Sequence, residues 1–115
     1  MSGLSGSVSG RGGEHIAEEY LLRKGAVILA KNYKAAGGEI DLIARMDGRL
    51  VFVEVKARFG RRYGSPGEAI TKDKAARVRR AATAFCKHNG GLAQPMRFDA
   101  LLISEEGIKH IPGAF

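Results

Sequence analysis

The pair Asp47-Gly48, set between two stretches of alternating apolar residues, constrains this chain more than any other feature. A type I′ turn needs φ > 0 at both central positions, and Asp-Gly is one of the dipeptides that supplies it. Glu39 to Arg58, EIDLIARMDGRLVFVEVKAR, therefore reads as a β-hairpin. A two-residue turn also fixes register. With Met46 opposite Arg49, Ile43 faces Phe52, Asp41 faces Glu54 and Glu39 faces Lys56, which clusters three acids and a lysine on one face.

That face changes character along its length. With a side-chain period of two, Val51, Val53, Val55 and Ala57 point one way while Leu50, Phe52, Glu54 and Lys56 point the other. Near the turn the second face is apolar; away from it the face is charged, and Ile43, Asp41 and Glu39 repeat the change on the partner strand. Two carboxylates opposed across a ladder, Cβ atoms about 5 Å apart, repel each other. A bound cation removes that conflict, and carboxylate oxygens suit a hard ion such as Mg²⁺, with water and substrate phosphate filling the remaining positions. The competing reading of the alternating charges is a solvated strand face. A one-residue slip would send Asp41 to the other side.

The 115 residues suit one domain, with 44% hydrophobic and 27% charged residues as in an ordinary soluble protein. No apolar run approaches the roughly 18 residues of a membrane span. Residues 1–13, mostly Gly and Ser before Glu14, are expected to be disordered, leaving a single domain over 14–115. Cys86 is the only cysteine, which excludes an internal disulfide and argues against a thiolate zinc site; the expected compartment is the cytoplasm. Cys86 itself reads as a small buried hydrophobe.

The net charge of +7 is concentrated. Between Lys56 and Arg80 lie nine basic residues (Lys56, Arg58, Arg61, Arg62, Lys72, Lys74, Arg77, Arg79 and Arg80) against Glu68 and Asp73, and the rest of the chain balances. A basic block beside an acidic pocket fits a polyanion bound next to a metal. A merely solvated basic helix is the alternative.

Around the hairpin, a first helix is expected from about Gly12 to Lys24, with Glu14 in its first turn, where charge compensation of the helix dipole would explain it. Val27 to Tyr33 reads as a strand buried on both faces. Gly37-Gly38 would let a phosphate approach the backbone beside Glu39. Phe59 to Gly67 reads as an exposed loop carrying Arg61, Arg62 and Tyr63, followed by Glu68, a further candidate carboxylate. Thr71 is the expected N-cap of a second helix reaching His88, with an apolar stripe of Ala75, Val78, Ala82 and Phe85 and a terminator at Gly90-Gly91. Met96 to Ile103 reads as a strand, with Asp99 a structural or edge residue, and Ile108 to Ile111 as a last short strand. The expected fold is α/β: a mixed sheet flanked by helices in the order α-β-β-β-α-β-(β).

Asp41, then twelve residues, then Glu54-Val55-Lys56, preceded by a helical Glu14, resembles the core of the PD-(D/E)XK nuclease superfamily, with Ile40 where its proline would stand. More narrowly, GGEIDLIA, LVFVEVKAR, RRYGSPGEAI and RFDALLI with a terminal AF resemble the YraN family of predicted endonucleases over roughly Gly12 to Phe115. That family is similar to archaeal Holliday junction resolvases, in which a helical glutamate after G-x-x-x joins the metal site; Gly10-Arg11-Gly12-Gly13-Glu14 fits the spacing. The resemblance implies a restriction-endonuclease-like fold and Mg²⁺- or Mn²⁺-dependent hydrolysis of DNA phosphodiesters, on branched or single-stranded DNA. It implies Asp41 and Glu54 as metal ligands and Glu14 as a further one, with Glu39 and Glu68 as additional candidates. Lys56 would orient the attacking water. Arg58, Arg61, Arg62, Lys72, Lys74, Arg77 and Arg80 would contact phosphates, and a monomer–dimer equilibrium is expected. A non-catalytic nucleic-acid-binding or recombination-accessory module with a vestigial metal site is the alternative function.

Overall fold

In the computed structural model, which describes residues 10–59 and 70–115, the hairpin forms as its turn demands. Asp47 (φ 55°) and Gly48 (φ 76°) both occupy the left-handed region. They join β2 (Gly38–Met46) to β3 (Arg49–Ala57), antiparallel from Met46↔Arg49 through Ile43↔Phe52 to Leu42↔Val53. A second tight turn, Ala36 (φ 53°) and Gly37 (φ 77°), joins β1 (Val27–Ala35) to β2. From β3 the chain returns by a helix, α2 (Lys72–His88), to lay β4 (Met96–Ser104) parallel to β3, and β5 (Gly107–Ile111) pairs antiparallel with β4. The result is a mixed five-stranded sheet, in order β1-β2-β3-β4-β5, with the first helix, α1 (Gly10–Arg23), ahead of it. This is the expected α/β architecture.

Alternation along the strands sorts the side chains into two cores. Leu42, Ala44, Met46, Val51 and Val53 pack with Ala17 and Leu21 of α1, while Ile43, Leu50, Phe52 and Phe98 pack with Val78, Ala82, Phe85 and Cys86 of α2. The helices thus cover different sheet faces. Cys86 is buried, as its apolar reading requires. Full burial of a side chain such as Phe52 contributes roughly 1.5–3 kcal/mol. Thr71 caps α2, its Oγ1 accepting from the Lys74 amide at 3.1 Å.

Several expectations need correction. The helix starts at Gly10, so residues 10–13 of the segment expected to be disordered are helical; residues 1–9 lie outside the described residues. Glu14 consequently sits beyond the first turn, and dipole compensation does not account for it. No residue of β1 is buried, because β1 is an edge strand and neither helix covers it fully; Val27 and Leu29 are exposed. Asp99 is structural but not at an edge, since β4 runs between β3 and β5. The close approach at Gly38 is made by protein: a Cβ there would lie 2.0 Å from the Arg77 carbonyl oxygen of α2. That contact seats α2 against the start of β2.

Candidate functional site

The charged end of the hairpin is built by a break in alternation. Ile40 and Ile43, three residues apart, both enter the α2-side core, whereas Leu42 enters the other. Strict alternation would have put Asp41 beside Ile43, so the ladder pairs Asp41–Glu54 and Glu39–Lys56 do not form; the β2–β3 ladder stops at Leu42↔Val53. The break coincides with Asn32 of β1, whose φ of 51° interrupts that strand between Lys31↔Leu42 and Tyr33↔Ile40. Asp41 turns instead toward β3, where its Oδ2 accepts a hydrogen bond from the Val55 amide at 2.7 Å.

Glu54 continues the α2-side row of Leu50 and Phe52, and the helix meets that row in kind. Val78, Ala81 and Phe85 continue backwards, at helical spacing, to Lys74 in the first turn. Where the β3 row turns from Phe52 to Glu54, the helix stripe turns from Val78 to Lys74, and the two charges meet at 2.8 Å (Nζ to Oε2). Glu54 is only 4% exposed. Its other oxygen, Oε1, is buried and has no hydrogen-bond partner among the described residues.

The electrostatics follow. Burial, then the Glu54 charge, raises the Asp41 carboxyl to about 7, against the Val55 amide and Lys74, which oppose the shift. Burial also raises Glu54, partly offset by the Lys74 hydrogen bond, and the charge of Glu39 pushes both acids upward. The ion pair raises Lys74 in turn. The charge of Glu54 adds to the burial of Asp41, so the pair resists carrying two negative charges at once.

A cleft of about 360 Å³ opens onto Glu54, lined also by Lys56, Arg58, Thr71, Lys74 and Arg77. Across Lys74 and Arg77 lies a second cleft of about 550 Å³, with Lys34, Gly38 and Glu39 on its far walls. Glu39 faces Lys34 in the β1–β2 ladder, not Lys56. Glu14 lines a different cleft on the α1 side, with His15, Glu18, Lys31, Asn32 and Leu42. Among the described residues no three His, Cys, Asp or Glu side chains converge as a metal cage. Mg²⁺ does not need one: it is held by one or two carboxylates and completes its shell with water and phosphate. Two adjacent carboxyls, one with a buried unpaired oxygen, fit that requirement.

The basic residues divide. Lys74 is bound to Glu54, a role that its place in the basic run did not suggest; the signal was its position on the apolar stripe of α2, opposite the charged end of the β3 row. Arg77 is exposed and lines both clefts. Arg80 donates from Nε to the Ala36 carbonyl at 3.3 Å, Arg79 lies 4.4 Å from the centre of the Phe98 ring, and Lys72 is exposed at the start of α2. Arg58 borders the carboxylate cleft and donates from Nη1 to the Ala57 carbonyl. Arg61, Arg62, Tyr63 and Glu68 lie outside the described residues.

A second polar cluster was legible only as Asp99. That buried carboxylate receives both Nε and Nη2 of Arg97 at 2.8 Å, approaches His110 Nε2 at 2.7 Å and accepts from the Gly113 amide at 3.1 Å. Tyr20 Oη meets the other nitrogen of His110 at 3.1 Å. Every oxygen of Asp99 is engaged, and the cluster ties α1, β4 and the residues after β5 together.

The family model described as "Uncharacterised protein family UPF0102" matches residues 13–103, which include Asp41, Glu54, Lys56 and Lys74. The chain belongs to this family. UPF0102 is the YraN family that the sequence blocks around Asp41 and Glu54 resemble. A UPF0102 protein of Symbiobacterium thermophilum is 49% identical over 80% of this chain and 78% of its own length. One from Frankia casuarinae is 42% identical over 92% and 94% of the two chains, and one from Clostridioides difficile is 41% identical over 90% and 92%. Among the described residues, no helix is long and apolar enough to cross a membrane.

Proposed function

We propose that the protein is a Mg²⁺- or Mn²⁺-dependent, structure-selective DNA endonuclease that hydrolyses phosphodiester bonds in branched or single-stranded DNA. The observation that carries this reading is the buried Glu54 carboxylate, its Oε1 unpaired among the described residues, at the edge of a cleft that Lys56 shares and beside an Asp41 carboxyl raised to about 7. A buried and a half-buried acid set side by side, both with raised pKa values, are a costly arrangement that is found preferentially at functional sites. Asp41 and Glu54 would hold the cation, which when bound supplies charge to polarise the phosphate and favour attack by water.

The chain's own residues supply the rest. The Val55 amide fixes the orientation of Asp41. Lys56, on the same cleft wall as Glu54, orients the attacking water and offsets charge that develops on the phosphate oxygens. Arg58, Arg77 and Lys72 at the cleft and the α2 N-terminus grip the flanking phosphates, and Arg61 and Arg62, close by in sequence, belong to the same basic block.

One observation favours the non-catalytic alternative, a nucleic-acid-binding module with a vestigial site: Lys74 already neutralises Glu54 at 2.8 Å. The deciding experiment offers four-way junction, single-stranded and duplex DNA with Mg²⁺ or Mn²⁺ to the purified protein and to Asp41→Ala, Glu54→Ala and Lys56→Ala. Cleavage by the parent that all three substitutions abolish, with circular dichroism unchanged, establishes the nuclease. Binding without cleavage establishes the alternative.

A further inference from the structure

We infer that Lys74 is a latch on the carboxylate pair: its ammonium holds the place of a cation on Glu54 until a divalent ion displaces it, and is then released to grip the nucleic-acid backbone. The inference rests on the metal-dependent reading proposed above and adds a device that couples metal loading to phosphate binding.

Three observations converge on it. The contact is close and aimed, Nζ to Oε2 at 2.8 Å, onto a carboxylate that is otherwise nearly sealed. Yet Lys74 is not sealed with it: its side chain keeps 41% of its exposure, whereas Glu54 keeps 6%. A lysine serving only to neutralise a buried acid would sink with its partner; this one reaches in from the rim. Finally, Lys74 stands on the wall between two clefts, with Lys56 and Arg58 on one side and Lys34 on the other, and Arg77 on both. A released Lys74 joins the basic residues on these cleft walls, where lysines and arginines outnumber Glu39 and Glu54 and can meet a phosphate backbone.

The chemistry of the two side chains makes the exchange feasible. A lysine ammonium is a compact point charge on a four-carbon stem with freely rotating bonds, so it can swing from the carboxylate into the cleft with α2 in place. Its interaction with Glu54 is through Oε2, and Oε1 has no partner among the described residues. A divalent ion offers both acids a larger charge. Thr71 anchors the helix turn from which Lys74 swings, since its Oγ1 binds the Lys74 amide and not its side chain.

A latch makes two demands that a fixed structural ion pair does not. Removing it must ease cation entry, and its own contribution to nucleic-acid binding must depend on the cation. Mn²⁺ titrated into the full chain by isothermal calorimetry, without nucleic acid, reads the first. Lys74→Met should bind Mn²⁺ roughly tenfold more tightly than the parent, since the competing charged hydrogen bond is gone. Lys74→Arg, which keeps a charged donor, should stay near the parent. Arg77→Met removes one charge from the same clefts without touching Glu54, and should tighten Mn²⁺ less than Lys74→Met. Equal tightening in Arg77→Met and Lys74→Met would mean a general charge effect and no latch.

The second demand is read with a fluorescent single-stranded oligonucleotide, Ca²⁺ replacing Mn²⁺ to limit cleavage. Lys74→Met should lower the slope of log affinity against log salt by about 0.7, one single-strand phosphate contact, when Ca²⁺ saturates the protein, and leave it unchanged in EDTA. An equal loss in both conditions, or none in either, overturns the handover. The two levels of the proposal fail differently. If the parent binds Mn²⁺ and Asp41→Asn abolishes it while Lys74→Met does not tighten it, the latch fails and the metal site stands. If neither the parent nor Lys74→Met binds Mn²⁺, the metal site fails and takes the latch with it.

Discussion

The Asp41 carboxylate accepts the Val55 backbone amide at 2.7 Å, so a side chain serves a strand amide just beyond the last β2–β3 ladder pair. That hydrogen bond holds one acid beside another while favouring its charged form, against the burial that resists charge. The opposition sets the first prediction. Both acids have folded-state pKa values above their unfolded ones, Asp41 at about 7, so the folded chain binds more protons than the unfolded chain between about pH 4 and 7. The resulting penalty is absent at low pH and complete above pH 7. Stability without metal should therefore fall on going from pH 5 to pH 8 by on the order of 1–3 kcal/mol, and Asp41→Asn, which keeps an acceptor for Val55, should flatten the profile in urea melts.

Cation binding should reverse that loss. At pH 8 a divalent ion at a hundredfold excess over its Kd adds about 2.7 kcal/mol of stability by mass action. Thermal melts with and without Mn²⁺ should show a rise in Tm for the parent and none for Asp41→Asn. A variant that gained as much as the parent would remove Asp41 from the site.

The seating of α2 can be tested at two adjacent glycines. Gly38→Ala drives a methyl into the Arg77 carbonyl, an atom of backbone that cannot swing aside, and should cost about 1–3 kcal/mol or more. Gly37→Ala meets no atom within 4 Å and bears only the strain of φ +77°, about 1 kcal/mol. Urea denaturation should rank them in that order, with Gly38→Ala also changing the carboxylate cleft that α2 borders.

Asp99 should be among the most costly residues to remove. Burial would raise its pKa, but hydrogen bonds from Arg97, His110 and the Gly113 amide outweigh burial and hold it below the usual carboxylate value. Its contribution is present at neutral pH and is lost as pH falls through that depressed value. Asp99→Ala, which strands Arg97 and frees the residues after β5, should cost about 3–5 kcal/mol by chemical denaturation at pH 7.

If α2 grips nucleic acid, replacing Arg77 and Arg80 with methionine should lower the salt slope for duplex DNA by about one to two and weaken all sequences alike. Fluorescence anisotropy between 50 and 200 mM salt would read this. Unchanged affinity and slope would mean that this helix face is only solvated.

The fold was legible where short-range chemistry decides it. Asp47-Gly48 set the hairpin and its first five pairs, and Thr71 set the start of α2. At the candidate site the sequence shows a charged end to the hairpin but not how its side chains are placed. The expected pairing of Asp41 with Glu54 is overturned by a property of two strands at once, the paired irregularity at Asn32 and Asp41, which no periodicity within one strand reports. The ion pair of Lys74 is invisible in a run of charges along the chain, because its partner lies twenty residues back and across the sheet. Arg97, Asp99 and His110 were separated in the same way, their association fixed only when β5 folds back on β4.

The outer strand has a consequence for the molecule's dealings with other proteins. A nine-residue edge with Val27 and Leu29 exposed would, if straight, offer its free amides and carbonyls as a template on which a foreign strand could grow. The register shift between Ile28 and Ala30 and the left-handed Asn32 cut that edge into short, differently facing pieces, and Lys31 and Lys34 place charge along it. The kink that turns Asp41 toward its neighbour thus also blunts the sheet against fibril-like growth.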